Sequence, residues 1–506
     1  MDDNKRKKEY LRKLESKKLK KSQEYKELSF SAGVTWVFAL LFALSGYSFI
    51  TGKVTVTPLI LAAAFAVEGL IQLILLHRMR AALLKSKPIS RAMRLSGILL
   101  LAFVVTGNIF AAVAGFTLIK KQRTLEYTMT VYAAITTLGV IMVSGLNLFK
   151  EYVANNFMLG MGLLAAFLVF YLLALLLIHL WERDGKVDKK LLPVGVLLIV
   201  SAISGNVFAL LAGMLIISHY RHQGEDRAIE WRDIWERLFR NKMAVMGMLV
   251  VVFLLSLSLS SVLTFDYGVA IDNNYDAILR PISMEYPFGT DNYGRCVFTR
   301  LVFGARISLI VGVCVTVLPM VVGGILGAAA GFFGKRTDNI IMRLLDVQYA
   351  VPDMLLAIAI IAAFGANTVN LILALSIGSV AVYARTVRAT VLGLANAEFV
   401  EAARSCGARD WNIIFRHIIP NSLAPIIVRS TMGIGTAVLS TSSLSYLGLG
   451  VEPHIPEWGN ILKIGGQYLE TNPYLAIFPG LAIILLVLAF NFFGDGLRDA
   501  LDPKLK

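Results

Sequence analysis

The sequence predicts an all-α polytopic membrane protein, and three observations predict it. Hydrophobic residues fill 57% of its 506 positions and charged residues only 16%, against about 25% charged in an ordinary soluble domain. Twelve apolar runs recur along the chain, each near the ~20 residues that a bilayer-crossing helix needs. The Lys and Arg behind the net charge of +15 sit in short loops between those runs, where they orient helices and meet anionic headgroups. With no folded basic module, that charge does not point to nucleic acid.

Residues 1–29 form a basic N-terminal segment, with eleven Lys/Arg against six acids. The first apolar run is long enough to span, so no cleavable signal peptide is expected and this segment should stay in the cytoplasm. Residues 30–218 form an N-terminal transmembrane module of about six hydrophobic segments, near 30–50, 57–77, 95–119, 127–149, 157–181 and 191–218. Within it, TGNIFAAVAGFTLIKKQR at 106–123 and SGNVFALLAGMLIISHYR at 204–221 lie 98 residues apart. The module is therefore two copies of a three-segment unit, about 30–123 and 127–221. If every segment spans, the second copy is inverted, and Lys120, Lys121, Arg123, Arg183, Lys186, Lys189 and Lys190 fall outside, against the positive-inside bias. The alternative makes each third segment a re-entrant hairpin turning at Gly107-Asn108 and Gly205-Asn206, shielded by protein. Six spanning helices are the expectation taken here; both schemes deliver residue 219 to the cytoplasm.

Residues 219–242 form a cytoplasmic linker and an amphipathic interfacial helix, with Trp231, Trp235, Leu238 and Phe239 at helical spacing beside Arg and Lys. Residues 243–506 hold spanning runs at 243–264, 306–333, 339–364, 368–391, 420–447 and 474–494, which leave both termini in the cytoplasm. The longest polar interruption on the inner face, residues 392–419, leads with EFVEAARSCGARDWNIIFRHI into Pro420. Glu401, Ala402 and Ala403 are followed four residues later by Gly407 and thirteen after that by Pro420. Small residues and a glycine between two short helical pieces make a compact helix-turn-helix that a partner can approach closely. Pro420 is expected to stop the cytoplasmic piece and open the next helix.

Glu-Ala-Ala, three residues, Gly and a distal Pro resemble the signature loop of ABC importer permeases. Phe288–Arg295 (FGTDNYGR), Gly304-Ala-Arg306, Ser445–Gly450 (SYLGLG), Trp458-Gly459 and Gly494–Pro503 (GDGLRDALDP) are similar to the second permease of dipeptide, oligopeptide and nickel systems, over about residues 232–506. The resemblance implies a six-helix type I ABC importer permease domain at 243–506, multi-pass in the cell (cytoplasmic) membrane. It implies import of di- or oligopeptides delivered by an extracytoplasmic binding protein, with a second permease subunit, two ATPase subunits and membrane lipid as partners. A nickel or metal-chelate importer of the same family is the first alternative, and a secondary transporter the second. ATP and Mg would sit on the partner subunits; this chain is expected to bind no cofactor and no metal and to be no enzyme. The resemblance assigns ATPase coupling to Glu401, Ala402, Ala403, Gly407, Ala408, Asp410, Ile414, Arg416 and Pro420. It assigns the substrate pathway to Ser440, Thr441, Ser442 and Ser443, and an external loop facing the binding protein to Gly289, Thr290, Asp291, Gly294 and Arg295. Two positions depart from the family pattern: Cys296 stands where an acid is usual, and Thr441 replaces a usual Glu.

Other features carry less chemistry. Cys296, Cys314 and Cys406 have no ligand spacing, and the six histidines show no metal motif. AAGFFGKRT, from Ala329, lacks the first glycine and the Ser/Thr of a phosphate loop. Arg385 and Arg388 read as snorkelling inner-face residues. Glu68 lies mid-run, where a charge costs about 2.5–3.5 kcal/mol on insertion scales, so it should face other helices as a coupling or packing residue. Asn108 and Asn206, equivalent in the repeat, are expected to hydrogen-bond between helices.

Overall fold

The computed structural model describes residues 22–45, 56–85, 89–119, 124–150, 153–183, 186–222 and 229–502. It divides into two compact units, Met1–Gly145 with Met161–Gln223, and Leu146–Gly160 with Gly224–Lys506. The segment Leu146–Gly160 thus interrupts the module in sequence and belongs to the permease unit, a division that the run of apolar segments did not foretell.

In the first unit α1 (Gln23–Ser45) pairs with α2 (Val56–Leu84). Helix begins at Gln23, inside the stretch expected to be a basic tail. Next come α3 (Arg91–Ala102) and α4 (Ile109–Ile119), then α5 (Leu125–Gly145), α6 (Phe157–Trp181), a two-residue-per-strand hairpin at Glu182–Val187, and α7 (Leu192–Ser201) with α8 (Val207–Arg221).

The third segment of each copy does not span, which corrects the six-helix expectation. A Cβ on Gly97 would lie 2.4 Å from the Gly115 carbonyl oxygen, and one on Gly213 2.4 Å from that of Gly195. In one continuous helix residues 18 apart would be ~27 Å distant, so each segment folds back on itself. The folds occur at Gly107 (φ +85°) and Gly205 (φ +80°), left-handed positions that glycine fills without strain. Asn108 and Asn206 then cap the returning helices, accepting from the N–H of Ala111 (3.0 Å) and of Ala209 (3.4 Å). The close glycine pairs let the two arms touch backbone to backbone, which shields polar groups that lipid could not satisfy. Lys120, Lys121 and Arg123 lie outside the described residues. Cysteines placed at Ser90 and Thr124, before and after the first hairpin, should react with an impermeant reagent from the same membrane face. The pair Lys190 and His222 should do likewise; labelling from opposite faces would restore the spanning helix.

In the permease unit α9 (Ile229–Arg240) is the amphipathic helix, followed by α10 (Lys242–Thr264), α11 (Val297–Phe333), α12 (Lys335–Tyr349), α13 (Asp353–Phe364) and α14 (Thr368–Leu394). The short helix α15 (Glu398–Ser405) precedes α16 (Ile419–Leu447), α17 (Trp458–Gln467) and α18 (Tyr474–Leu501). The run expected to span at 339–364 is broken: α12 and α13 meet at 79°, at Val351-Pro352, where proline disfavours helix in the residue before it. Among the described residues nine helices are long and apolar enough to cross a membrane, four of them before residue 182 and five after residue 241. Arg388 makes a two-pronged pair with Asp338 (2.5 and 2.6 Å), and Arg385 reaches Asp346 (2.6 Å). These arginines therefore tie α12 to α14 rather than simply snorkelling.

Candidate functional site

The segment at residues 398–420 is built from two faces. Val400, Ile413, Ile414 and Ile418 are buried against Ala328 of α11 and Val387 and Val391 of α14, with Ala403 and Ala408 at the edge. Ile414, expected in coupling, is thus an anchor. The opposite face is open: Glu401, Ala402, Gly407, Asp410, Arg416 and Pro420 are exposed. Gly407 (φ +81°) ends α15 in the left-handed region; its N–H donates to the Arg404 carbonyl (3.0 Å) and that of Ala408 to the Ala403 carbonyl (3.1 Å). This double closure satisfies the last carbonyls of the helix and turns the chain sharply.

The chain then enters α16 without a break, which corrects the expected stop at Pro420. A helical turn at Asp410–Ile413 runs into a π-turn, Ile414–Ile418, and on into α16. Pro420 has no N–H, and its ring would crowd the carbonyl four residues back; the wider turn just before it relieves both. Sequence reasoning passed over Trp411 and Phe415, which are 56% and 53% exposed and stack at 5.9 Å. Two exposed aromatics one helical turn apart, beside Arg416, were the available signal, since such apolar patches mark protein contacts.

The four hydroxyl residues of α16 separate. Ser440 and Ser443 are half-buried, whereas Thr441 and Ser442 are buried within the unit. The Ser442 hydroxyl donates to Glu457 Oε1 at 3.2 Å. Glu457, also missed, is completely buried, caps α17 by accepting from the Asn460 N–H (3.0 Å), and sits just before Trp458. Burial pushes its carboxyl above the ordinary 4.5, against the Gly459 and Asn460 N–H groups and the Ser445 and Ser442 hydroxyls, which pull it down. A raised folded-state value means that Glu457 stabilises the fold most at and below pH 4.5, and that this contribution fades as pH climbs from 4.5 towards the folded value. Glu457→Gln should flatten that part of the curve of thermal stability against pH.

The Gly289–Cys296 motif is a knot. Thr290 and Cys296 form an antiparallel bridge, and the Thr290 hydroxyl donates to the Ala277 carbonyl (2.5 Å) and accepts from the Arg280 N–H (2.7 Å). Asp291 accepts from the N–H groups of Tyr293 (2.9 Å) and Arg295 (3.0 Å) and pairs with the Arg295 guanidinium (2.8 Å). Gly289 and Gly294 both have positive φ, and a Cβ on Gly294 would overlap the Asn274 carbonyl oxygen at 1.6 Å. Thr290, Asp291 and Arg295 are buried, so they shape the loop instead of presenting a surface. Residues 146–160 close it: the Asn147 amide donates to the Thr264 carbonyl (2.8 Å) and Lys150 Nζ to the Thr299 hydroxyl (2.5 Å). Burial holds the Lys150 ammonium below its ordinary value of 10.5, opposed by Cys296, Asp266 and Glu285.

Elsewhere, Glu126, Glu182 and His219 bring three possible donor atoms within 4.8 Å of one another, a convergence that histidine spacing could not reveal. Cys296 is buried, Cys314 half-buried and Cys406 exposed, all three as free thiols.

Residues 323–506 match the family described as the binding-protein-dependent transport system inner membrane component. Residues 230–281 match the N-terminal TM domain of oligopeptide transport permease C. The dipeptide transport system permease protein DppC of Alkalihalophilus pseudofirmus is 42% identical over 276 residues, 54% of this chain and 90% of the relative. The glutathione transport system permease protein GsiD of Pectobacterium atrosepticum is 43% identical over 276 residues, 54% of this chain and 92% of the relative. GsiD of Escherichia coli is 42% identical over the same length, covering 54% and 91%. This is a multi-pass membrane protein whose kind works in general with ATPase and binding-protein partners. The chain belongs to the inner-membrane permease family of binding-protein-dependent ABC transport systems.

Proposed function

We propose that this chain is the non-enzymatic permease subunit of an ATP-driven importer of di- and oligopeptides. It would stand beside a second permease subunit, with one ATPase subunit beneath each and a binding protein delivering peptide from outside. ATP and Mg would be held by the ATPases, and both termini would face the cytoplasm. The observation that carries this reading is the inner segment: an apolar face keyed into α11 and α14, a glycine-closed turn, and an open face bearing Glu401, Arg416 and the Trp411–Phe415 stack. Movement of a partner against that open face would pass directly into α16, because helix is continuous from Asp410 to Leu447. The outer knot would hold a fixed surface for the binding protein, and the half-buried Ser440 and Ser443 would border the pathway.

Affinity purification of the tagged chain should bring down two ATPase chains and a second permease. Proteoliposomes holding that complex and the binding protein should accumulate labelled dipeptide in an ATP-dependent way. Accumulation of nickel instead of peptide would move the substrate to the metal systems. Uptake that survives without ATP and follows an ion gradient would overturn the reading.

A further inference from the structure

We infer that Glu68 is a proton-binding site of the N-terminal module, carrying its proton at Oε1 and passing a hydrogen bond through Thr106 to the tip of the first hairpin. Glu68 lies on the fourth turn of α2 and is 3% exposed; Ser31, Thr35 and Gln72 beside it are at most 1% exposed. Among the described residues no cation pairs with it, and its partners are Thr106 and Asn108. The other titratable groups on the elements around it lie near the ends of those elements: Glu24, Tyr25, Lys26 and Glu27 on α1, His77, Arg78 and Arg80 on α2, and Arg91 and Arg94 on α3.

The hydrogen-bond geometry around Glu68 favours a neutral carboxyl. The two hydrogens of the Asn108 amide go to Glu68 Oε2 (2.7 Å) and the Thr35 hydroxyl (2.9 Å). Thr35 also accepts from the Gln72 amide (3.0 Å), whose oxygen accepts from Ser31 (2.9 Å). Thr106 has one hydroxyl hydrogen and two neighbours, the Phe103 carbonyl oxygen at 2.7 Å and Glu68 Oε1. A neutral carboxyl donating from Glu68 Oε1 lets Thr106 give its one hydrogen to the Phe103 carbonyl, so both contacts are made; with an ionised carboxyl the Thr106 hydrogen goes to Glu68, and the Phe103 carbonyl keeps only the Asn108 N–H. A neutral carboxyl satisfies every contact; a carboxylate leaves two acceptors competing for one hydrogen, and a charge buried without a cation. When the proton leaves to water, Thr106 must turn towards the carboxylate and release the Phe103 carbonyl, which closes the turn Phe103–Thr106 by also accepting from the Asn108 N–H (3.1 Å). Protonation is thereby tied to the shape of the hairpin tip.

The second copy is an internal control. There Asn206 donates to the Thr137 hydroxyl (3.1 Å) and the Ala133 carbonyl (2.9 Å), matching the Asn108–Thr35 bond, and Gly205 repeats the turn of Gly107. No carboxylate bonds to Asn206 among the described residues. The hairpin fold therefore needs its Asn–Thr bond and not an acid, so Glu68 is an addition to the first copy, and an intramembrane ionisable group that folding does not require marks a functional site.

The full chain in lipid should show, at neutral pH, an infrared protonated-carboxyl C=O band that is missing from Glu68→Gln, a variant that copies the neutral carboxyl in shape. Raising the pH should convert that band to carboxylate in the wild type and leave Glu68→Gln unchanged. Should Glu68→Gln not accumulate, Glu68→Asp keeps the group in a shorter side chain and should shift the same band. A wild-type-minus-variant difference containing only carboxylate bands at neutral pH would overturn the inference. So would sodium converting the band at constant pH, which would make this a cation site. ATP-driven peptide uptake is read separately, so its failure and the failure of the proton site are distinguishable.

Discussion

Gly407→Val should leave the protein in the membrane at normal abundance and take away most of its ATP-driven uptake. Within the chain a Cβ at Gly407 meets nothing within 4 Å, so crowding inside the subunit is not the cause. The cost is conformational: φ is +81°, and a β-branched residue there pays at least the ~1–2 kcal/mol that left-handed backbone costs an ordinary side chain. At 1.4 kcal/mol per tenfold, about 2 kcal/mol opens the turn roughly 30-fold. Opening loses the Ala403 and Arg404 carbonyl bonds and swings α15 away from Asp410–Ile413. Membrane helices fold without this turn, because it lies in the polar interruption between α14 and α16. Gly407→Asn should be the mildest substitution, since Asn tolerates this region, with Ala between Asn and Val. Normal uptake by Gly407→Val with ATPase subunits bound would mean that the turn does not couple them.

How much of this was legible depended on whether a property is local. The spanning helices near 157–181 and 243–264 stand where the apolar runs lie, because burial in lipid asks only for length and composition. The hairpins were not settled by those runs: 95–119 is equally apolar as one long helix or two short antiparallel ones, and only Gly107-Asn108 and the misplaced basic loops hinted at the fold-back. The segment at residues 398–420 was legible as a pattern because Glu401, Gly407 and Pro420 are close in sequence, but which of its sides packs into the core was not. Ile414 and Trp411 look alike as apolar residues of an amphipathic piece, and only packing against Val387 and Val391 separates anchor from open face. The hydroxyls at 440–443 read as one polar stretch, yet helical rotation turns Thr441 and Ser442 inward. Glu457 gave no signal because its partner Ser442 arrives from another helix, fifteen residues away.

Trp458→Ala should be the most damaging substitution in the permease unit, with membrane abundance itself falling. Two motifs about 150 residues apart meet at this ring. The indole is 1% exposed, its N–H donates to the Leu301 carbonyl at 2.9 Å, and a Cβ on Gly304 would lie 2.6 Å from its Cδ1. Gly304 is therefore small because the ring lies on it, and Trp458, the first residue of α17 after its cap Glu457, ties that helix to α11. Around them Val297, Leu301, Ala305, Ile461 and Leu486 complete one cluster that joins α11, α17 and α18. Truncating a buried Trp costs about 3–5 kcal/mol, a large share of the ~5–15 kcal/mol that holds a domain together. Trp458→Phe keeps most of the apolar contact and loses the hydrogen bond, so about 1 kcal/mol is expected from that term. Gly304→Val should approach the alanine variant, since the ring has no free space to retreat into. The decisive measurement is the cycle formed by Gly304→Val, Trp458→Ala and the double variant, read as the temperature at which the purified protein loses its fold. Each single change breaks the same contact, so the double variant should fall well short of the summed losses. Full additivity would mean that the ring and the glycine act separately, and that the two motifs do not owe their form to each other.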